Sequence, residues 1–579
     1  MDSVLIANRG EIAVRLIRAA REMGLRSIAV YSDLDRDALH VRLADEAWNV
    51  GGAPAAESYL NIEAILESAA RSGAQAVHPG YGFLSENAGF ARRVTEAGLT
   101  WVGPPPEAIA TMGDKIASRR AAEAAGVPGV PGTLEPVRRS ADVRAVADAY
   151  GLPIVIKAAH GGGGRGLRVV HRSEDLDRTF EAARREADAY FANAEVYVER
   201  YLVGPRHIEA QVLFDRHGNG AFLGERDCSL QRRHQKLVEE SPSPALSERQ
   251  RKALGRSALA VAKAAQYESA GTVEFLLDRD GNFYFLEMNT RLQVEHAVTE
   301  AVTGVDLVKE QLRIAAGERV GVGEVVPRGH AIEFRINAED PGRGFRPQPG
   351  TIGEYHEPGG PGVRVDSGFE AGSAISQYYD NLIAKLVVLG ADRDEAIARA
   401  RRALGEFRIG GIATTLPFHR LVLDLPAFRE GSHDTRTVEA DLDLSTLAQP
   451  PPEAPSEDDA AGRTMTVEVG GRRFEVRLWA PGSSAAEGPK RPPARRRAPQ
   501  PASLEASEPQ GLITAPMQGT IVKVHHRAGE AVEAGEPLFV LEAMKMENEL
   551  RAPAAGQIID LRVREGDLVS TGQVLAIVR

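Results

Sequence analysis

The composition of the chain changes abruptly in its last quarter, and this change limits what the whole chain can fold into. Residues 449–463 and 480–510 are rich in Pro, Ala, Ser and charged residues and have almost no large apolar ones. Such segments cannot bury enough apolar surface to offset the entropy that is lost on ordering. We therefore predict a linker over 446–510 that separates two folded parts, 1–445 and 511–579.

A short structured element is predicted inside this linker. Val467–Trp479 alternates apolar and polar residues around Gly470-Gly471. Alternation on either side of a glycine pair is typical of a β-hairpin. The sequence thus predicts a lone hairpin within 464–480.

Residues 511–579 contain an internal repeat with a period of 37 residues. The same residue recurs at that spacing in these pairs: Ala515 and Ala552, Gly519 and Gly556, Gly529 and Gly566, Gly535 and Gly572, Leu538 and Leu575. Two short β units with the same turn glycines predict a small all-β sandwich with quasi-twofold symmetry.

Lys545 lies between the two repeats, in the run Glu-Ala-Met-Lys-Met-Glu, at a predicted hairpin tip. One interpretation is an ordinary exposed lysine. The two flanking methionines favour a functional position, because apolar side chains at an exposed tip indicate a partner surface.

The N-terminal part begins with a regular alternation of strands and helices. Val4–Ala7 predicts a buried strand, Glu11–Met23 an amphipathic helix and Ser27–Tyr31 the next strand. This rhythm continues to about Pro128 and predicts a parallel α/β layer. The first turn, Ala-Asn-Arg-Gly-Glu-Ile, lacks the G-x-G-x-x-G spacing, so the layer need not bind a dinucleotide.

A glycine-rich segment, His160-Gly-Gly-Gly-Gly-Arg-Gly166, follows the apolar strand Pro153–Ala158, in which Lys157 lies, and precedes the strand Leu167–Val170. Successive glycines let backbone N–H groups point into one concavity that suits phosphate oxygens. It is not a Walker loop, because no Gly-Lys-Ser/Thr ends it and a strand follows. The segment is either a phosphate cradle or a flexible hairpin tip.

Two acidic residues are predicted to face each other near residue 280. If Asp280-Gly281 is the two-residue turn of a hairpin, Glu274 and Glu287 are opposed, and Asn289 comes next on the same side. Opposed like charges destabilise a sheet, but a bound Mg²⁺ reverses that penalty because it prefers carboxylate and amide oxygens. The alternative is two carboxylates that point into solvent. A turn one residue longer would destroy the pairing.

The run Arg291-Leu-Gln-Val-Glu-His296 follows directly. A permanently charged Arg and a carboxylate beside a metal site can bind a small anion and remove its proton. Upstream, Glu225–Lys236 concentrates cations, either for a ligand or as a solvated basic stretch. Within it we interpret Cys228 as a small buried residue without chemistry.

The overall composition excludes several classes of partner. A formal net charge of -11 disfavours nucleic acid and anionic membranes. A single cysteine allows no internal disulfide and favours a reducing compartment. Neither a signal-like N-terminus nor an apolar run of ~20 residues is present. We expect a cytoplasmic enzyme that binds neither nucleic acid nor membrane.

Over residues 1–445 the chain resembles biotin carboxylase, an ATP-grasp enzyme. The matching runs are Ala7-Asn-Arg-Gly-Glu-Ile-Ala, His78-Pro-Gly-Tyr-Gly-Phe-Leu-Ser-Glu-Asn87, the glycine segment, Glu225–Lys236, Glu287-Met-Asn-Thr-Arg-Leu-Gln-Val-Glu-His and Arg335-Ile-Asn-Ala-Glu-Asp. The C-terminal part resembles a biotinyl carrier domain, whose Ala-Met-Lys-Met motif places biotin on the central lysine, here Lys545.

The resemblance implies a multidomain α/β and α+β fold. Its parts are a Rossmann-like N-terminal domain over 1–114, an ATP-grasp domain over 115–320, a mixed α/β C-terminal domain of the carboxylase over 330–445, and an all-β flattened barrel of the biotinyl/lipoyl type over 511–579.

The resemblance also implies roles for individual residues. The ATP site corresponds to Lys115, Lys157, Gly163, Gly164, Glu199, Leu202, His207, Gln231 and His234. The ligands of Mg²⁺ (or Mn²⁺) correspond to Glu274, Glu287 and Asn289. Bicarbonate contacts correspond to Lys236, Arg291, Gln293 and Val294, the catalytic base to Glu295, and biotin contacts to Arg335 and Tyr81.

In the implied mechanism, Glu295 takes the proton of bicarbonate, whose oxygen then attacks the γ-phosphorus of ATP while Arg291 holds the anion in line. The implied partners are a biotin protein ligase, a separate carboxyltransferase subunit in an oligomeric complex, and an acyl-CoA of the acetyl or propionyl class as final acceptor.

Two alternative functions are open at this point. One is an ATP-grasp ligase that joins a carboxylate to an amine. The other is a non-catalytic carrier scaffold, which would require losses at Lys115, Glu274, Glu287 or Arg291, and all four are present.

Overall fold

The computed structural model describes residues 1–133, 135–158, 167–191, 194–323, 325–447, 463–469, 472–478, 512–516, 519–543, 546–569 and 572–579. Internal contacts divide the chain into two units, Met1–Ala448 and Gln449–Arg579. Among the described residues, the helices all fall short of the length and apolarity that crossing a bilayer requires.

A five-stranded parallel sheet with the strand order β3-β2-β1-β4-β5 forms the N-terminal layer. Its strands are β1 Ser3–Ile6, β2 Arg26–Ser32, β3 Glu46–Gly51, β4 Ala76–His78 and β5 Thr100–Trp101. Its helices are α1 Gly10–Glu22, α2 Leu39–Leu43, α3 Ile62–Ser72, α4 Ala88–Glu96 and α5 Pro106–Gly113. The parallel layer and its first three predicted elements are confirmed.

The strand order brings the ends of β1 and β4 side by side. Asn8, which follows β1, donates hydrogen bonds from Nδ2 to the carbonyls of Pro79 and Tyr81, both at 2.7 Å. The first turn of the layer therefore holds the loop that follows β4.

A second, three-stranded sheet has the order β7-β6-β8. Its strands are β6 Ile154–Ala158, β7 Leu167–Val170 and β8 Val196–Arg200, and helices α6 Lys115–Ala124, α7 Ser140–Tyr150 and α8 Leu176–Phe191 belong to the same stretch of chain. Both predicted strands beside the glycine-rich segment are confirmed, whereas the segment itself, with Gly163 and Gly164, lies outside the described residues.

The largest sheet has eight antiparallel strands in the order β13-β12-β9-β10-β11-β14-β21-β19. The first strands in chain order are β9 Arg206–Phe214, β10 Gly220–Arg232, β11 Gln235–Ser241, β12 Ser269–Leu277, β13 Phe283–Asn289 and β14 His330–Asn337, with helices α9 Glu248–Ala264, α10 His296–Thr303 and α11 Leu307–Ala315. One continuous sheet thus contains strands that precede residue 320 in the chain and strands that follow it.

The remaining elements of this unit are mostly short. The strands are β15 Glu339–Asp340, β16 Arg346–Pro347, β17 Gly350–Thr351, β18 Glu354–His356, β19 Val363–Ser367, β20 Ala374–Ile375, β21 Leu382–Gly390 and β22 Arg408–Gly410. The helices are α12 Arg393–Glu406, α13 Leu416–Val422, α14 Pro426–Arg429 and α15 Thr437–Asp441.

The hairpin of β12 and β13 corrects one prediction and confirms another. The turn is not Asp280-Gly281 alone: Asp278 N donates to Asn282 O at 3.0 Å, so the loop is 279–281, with Gly281 at φ +84°. This longer loop shifts the register by one residue. An extra residue between Phe285 and Glu287 shifts it back, and Glu274 is opposed to Glu287 as predicted.

The second unit contains the hairpin of β23 Arg463–Val469 and β24 Arg472–Leu478, which pair antiparallel with each other. This confirms the predicted hairpin strands, while Gly470-Gly471 lie outside the described residues. Two four-stranded sheets follow, β25-β32-β30-β27 and β29-β28-β26-β31. Their strands are β25 Leu512–Thr514, β26 Gly519–Val524, β27 Ala531–Val532, β28 Pro537–Ala543, β29 Met546–Arg551, β30 Gly556–Leu561, β31 Leu568–Val569 and β32 Val574–Val578.

The predicted quasi-twofold symmetry appears in the hydrogen bonds between the two repeats. Gly572 N donates to Ala515 O at 2.8 Å, and Gly535 N donates to Ala552 O at 2.8 Å. The two bonds are equivalent, because Gly572 corresponds to Gly535 and Ala515 to Ala552 at the repeat spacing of 37 residues. Lys545, between the paired Ala543 and Met546, lies outside the described residues.

Candidate functional site

A cavity of about 710 Å³ lies in the first unit, and most of the predicted site residues line it. These are Lys115, Lys157, Glu199, Leu202, His207, Gln231, His234, Lys236, Glu274, Glu287, Asn289, Arg291 and Gln293. The wall is formed by the three-stranded sheet, by β9 to β13, by α6 and by residues 435–440. Residues far apart in sequence are therefore brought into one chamber.

One end of the cavity carries buried cations beside a buried carboxylate. Glu199 accepts hydrogen bonds from Lys157 Nζ at 2.5 Å and from Arg119 at 2.6 Å. Burial and the charge of Lys157 lower the pKa of Lys115, against the raising effect of Glu287. Two ammonium groups so close together in a chamber favour a polyanionic ligand.

The opposed acids on β12 and β13 differ in their surroundings. Glu274 accepts from Asn289 at 2.7 Å and from Gln293 at 2.8 Å, and His207 Nε2 lies 2.8 Å away. Burial raises the pKa of Glu274, but Lys236 and His207 lower it well below its ordinary value. Burial and the neighbouring charge of Glu274 raise the pKa of Glu287.

This donor set fits a hard divalent cation. Glu274, Glu287 and Asn289 offer carboxylate and amide oxygens, which Mg²⁺ and Mn²⁺ prefer. Burial and then repulsion from Glu274 raise the pKa of Glu287, and a bound dication would offset that repulsion.

Lys236 is the centre of a buried cluster of acids. Its ammonium donates to Glu274 and Glu295, both at 2.9 Å, and to Glu209. Glu295 also accepts from Arg335 at 2.9 Å. Burial raises the pKa of Glu295, but Lys236, Arg335 and Arg226 lower it well below its ordinary value. Glu295 is thus an ionised carboxylate, and these cations lower its affinity for a proton.

The guanidinium of Arg291 is held in place by another part of the chain. Its Nε donates to Glu86 at 3.0 Å, and one terminal nitrogen donates to Asn289 at 3.2 Å. Glu86 also accepts from the backbone N–H of Thr290 at 3.1 Å. The direction of Arg291 is therefore set by the segment His78–Asn87.

Four predicted site residues that the structure describes are not part of the cavity wall: Glu295, Arg335, Val294 and Tyr81. Arg335 donates to Glu239 at 2.6 Å and contacts the cluster through Glu295. The carbonyl of Val294 accepts from Lys385 at 2.8 Å. Tyr81 packs against the core of the N-terminal layer.

The sequence motifs did not single out four residues of this site: Arg226, Glu209, Glu239 and Glu86. Arg226 is fully buried and donates to the side chains of Glu209, Gln211, Thr272, Gln293 and Thr299. One signal was present in β9, where polar residues at 207, 209 and 211 alternate with apolar ones. A buried strand with one fully polar face indicates a site. Cys228 is buried, and its thiol pKa is raised well above its ordinary value, which agrees with the absence of an assigned role.

Four family models match the chain. They are "Biotin carboxylase, N-terminal domain" over residues 1–109, "Carbamoyl-phosphate synthase L chain, ATP binding domain" over 114–322, "Biotin carboxylase C-terminal domain" over 333–440 and "Biotin-requiring enzyme" over 511–578.

Individual proteins match over long stretches. The biotin-dependent acyl-coenzyme A carboxylase alpha3 subunit of Mycobacterium leprae is 51% identical over 94% of this chain and 92% of its own length. The biotin carboxylase of a Nostoc species is 53% identical over 76% of this chain and 98% of its own length.

Solved structures match the first unit. The biotin carboxylase of Campylobacter jejuni, described as a beta-gamma-ATP complex, has a TM-score of 0.73 at 45% identity and covers 76% of this chain and 98% of its own. The biotin carboxylase domain of Hydrogenobacter thermophilus 2-oxoglutarate carboxylase, described with MgADP and bicarbonate, has a TM-score of 0.74 at 46% identity, with 77% and 99% covered.

Proposed function

Since the chain belongs to the biotin-dependent carboxylases, as a biotin carboxylase region followed by a biotinyl domain, we propose that its cavity uses ATP and bicarbonate to carboxylate a biotin carried on its own Lys545. ATP-dependent carboxylation of biotin is the reaction of the family. The observation that carries the site assignment is the ionised Glu295, held by Arg335 and by Lys236, which lines the cavity.

In this proposal the cationic end of the cavity binds the nucleotide. Lys115 and Lys157 neutralise phosphate oxygens, and the glycines at 163 and 164 supply backbone donors. Leu202, Gln231 and His234 line the same chamber and contact the base. Burial and the charge of Lys157 lower the pKa of His234, which keeps its ring neutral.

Glu274, Glu287 and Asn289 hold Mg²⁺ or Mn²⁺ in the proposed site. When bound, the ion neutralises the phosphate oxygens and favours attack on the γ-phosphorus. Its two carboxylate ligands come from adjacent strands, so the hairpin register sets their spacing.

Arg291, Gln293 and Val294 bind bicarbonate beside Lys236, and Glu295 accepts its proton. In the structure Lys236 and Arg335 hold the negative charge of Glu295. A bound bicarbonate would also interact with Lys236 and Arg335. The two cations would then stabilise the charged form of Glu295 less, and the affinity of Glu295 for a proton would rise. Arg335, anchored by Glu239, then lies close enough to the base to orient the ring of biotin.

The first test of this proposal is the dependence of ATP hydrolysis on bicarbonate. We expect hydrolysis by the purified biotinylated chain with Mg²⁺ to rise with bicarbonate and to yield carboxybiotin on the C-terminal unit. ¹⁴C-bicarbonate incorporation measures the product. Hydrolysis that ignores bicarbonate but responds to an amino acid would support the carboxylate–amine ligase instead.

The proposed final acceptor is an acyl-CoA, reached through a separate carboxyltransferase subunit, and a biotin protein ligase loads Lys545. The support is that the relative matched over 94% of the chain is named an acyl-CoA carboxylase subunit. Relatives matched over the first unit alone include one of the subunits of a pyruvate carboxylase, so that unit does not decide the acceptor.

Isolation of the complex tests this assignment. We expect an affinity-tagged chain to co-purify with a carboxyltransferase subunit from its native cells, and the complex to carboxylate acetyl-CoA or propionyl-CoA. The chain alone should not do so. Carboxylation of pyruvate in place of acyl-CoA, or acyl-CoA carboxylation by the isolated chain, would contradict the proposal.

A further inference from the structure

Lys385 is a fully buried cation beside the proposed bicarbonate site that no step of the proposed reaction uses. It lies on β21, and its side chain is 0% exposed. Its ammonium donates a hydrogen bond to the carbonyl of Val294 at 2.8 Å. Val294 is a proposed bicarbonate contact, and the next residue, Glu295, is the proposed base.

The sheet register places Lys385 directly beside Arg335. The two residues are paired across β14 and β21, so their side chains leave the same face of the sheet. Arg335 holds the carboxylate of Glu295 at 2.9 Å, while Lys385 holds the carbonyl of Val294. Two neighbouring cations thus hold two consecutive residues of the same loop.

This pairing of like charges carries a cost that nearby acids offset. Lys385 Nζ lies 3.4 Å from Glu11 and 3.9 Å from Asp366. Burial lowers the pKa of Lys385, but Glu11, Glu333 and Asp366 raise it above its ordinary value, so the group is charged. Its contact with the neutral carbonyl is nevertheless shorter than both ion pairs. The Lys385 ammonium is therefore directed at the loop that contains Val294 and Glu295.

The backbone of Glu11 is closely packed. It lies in the first turn of α1, directly after the Asn8–Gly10 turn. Gly368 packs so closely there that a Cβ on it would lie 2.4 Å from the N of Glu11. Glu11 thereby places a carboxylate 3.4 Å from Lys385, which gives the Ala-Asn-Arg-Gly-Glu-Ile run a structural purpose without a dinucleotide.

We propose that Lys385 is a positioning residue that fixes the peptide plane between Val294 and Glu295, and thereby sets the geometry of bicarbonate binding and of the base. The inference rests on the proposed bicarbonate site. It assigns Lys385 no contact with substrate. Its effect on the anion and on the base is transmitted through the carbonyl of Val294.

The test is the Lys385→Met variant of the full chain. A hydrogen bond from a charged donor is lost, so we expect the KM for bicarbonate to rise about tenfold or more while the KM for ATP changes by less than about twofold. A merely structural residue would alter both constants together. The unchanged protein is assayed first: if its ATP hydrolysis ignores bicarbonate, the proposed function itself fails.

The matched controls are Glu11→Gln and the double variant Glu11→Gln/Lys385→Met. Glu11→Gln keeps the bond to Val294, and we expect its KM for bicarbonate to stay near that of the unchanged protein. The double variant removes one of the acids that lose their cation in Lys385→Met, so it offsets part of any loss of folding, yet its KM for bicarbonate should stay raised. A normal bicarbonate KM in the double variant, at a temperature where thermal melts show it folded, overturns the proposal.

Discussion

Replacement of Lys545 by Arg is expected to abolish biotin attachment and, with it, all carboxylation of acyl-CoA by the complex. The guanidinium keeps the positive charge but stays protonated, so it cannot act as the nucleophile that forms the amide with biotin. Intact mass and avidin binding measure the attachment. Carboxylation of free biotin should continue, because the cavity lies within the first unit.

The matched control for this substitution is Lys523→Arg. Lys523 is the one other lysine of residues 511–579, and it is exposed. The control should be biotinylated and active like the unchanged protein. If Lys545→Arg still bound avidin, or if it also lost carboxylation of free biotin, the assignment of separate carrier and catalytic units would be wrong.

A second large effect is expected from Glu295→Gln. The amide has the shape of the acid but cannot take a proton, so bicarbonate-dependent ATP hydrolysis should fall by about 10²–10⁴. The low pKa of Glu295 means that the unchanged side chain is ionised at neutral pH, and the substitution therefore removes a negative charge as well as a base. Initial rates at saturating ATP and bicarbonate measure the loss.

Glu225→Gln separates loss of the base from loss of folding. Glu225 is equally buried and pairs with Arg251 at 2.8 Å, and it does not line the cavity. We expect this variant to melt at a lower temperature but to retain most of its turnover. Equal losses of turnover in the two variants would contradict the role of Glu295 as the base.

Local pattern was sufficient to predict most of the elements but not all of their connections. Glu274 and Glu287 were correctly paired although the predicted turn was one residue too short, because a bulge at Leu286 restores the register. Alternation with a period of two residues indicates which side chains share a face of the sheet. The position of a bulge depends on tertiary packing, which a local sequence pattern does not reveal.

The residues that the sequence did not reveal owe their roles to strand order. Arg226 meets Gln293 and Lys385 meets Val294 only because β9, β10, β14 and β21 lie in one sheet in an order that differs from the chain. A buried charge is indistinguishable from a surface charge until its partners are known. The family resemblance implied roles for residues close to these in the sequence. The structure then showed which residues Arg226 and Lys385 contact.

The crossed hydrogen bonds of the C-terminal unit bear on how that unit must assemble. Ala515 of the first repeat is bonded to the second, and Ala552 of the second is bonded to the first, so neither repeat completes its own edge. The two halves are interlocked, and we therefore expect them to fold in one cooperative step. We expect loss of either half to leave Lys545, the proposed attachment residue, on an unfolded peptide. The proposed biotin site then depends on both repeats, although its sequence motif lies between them.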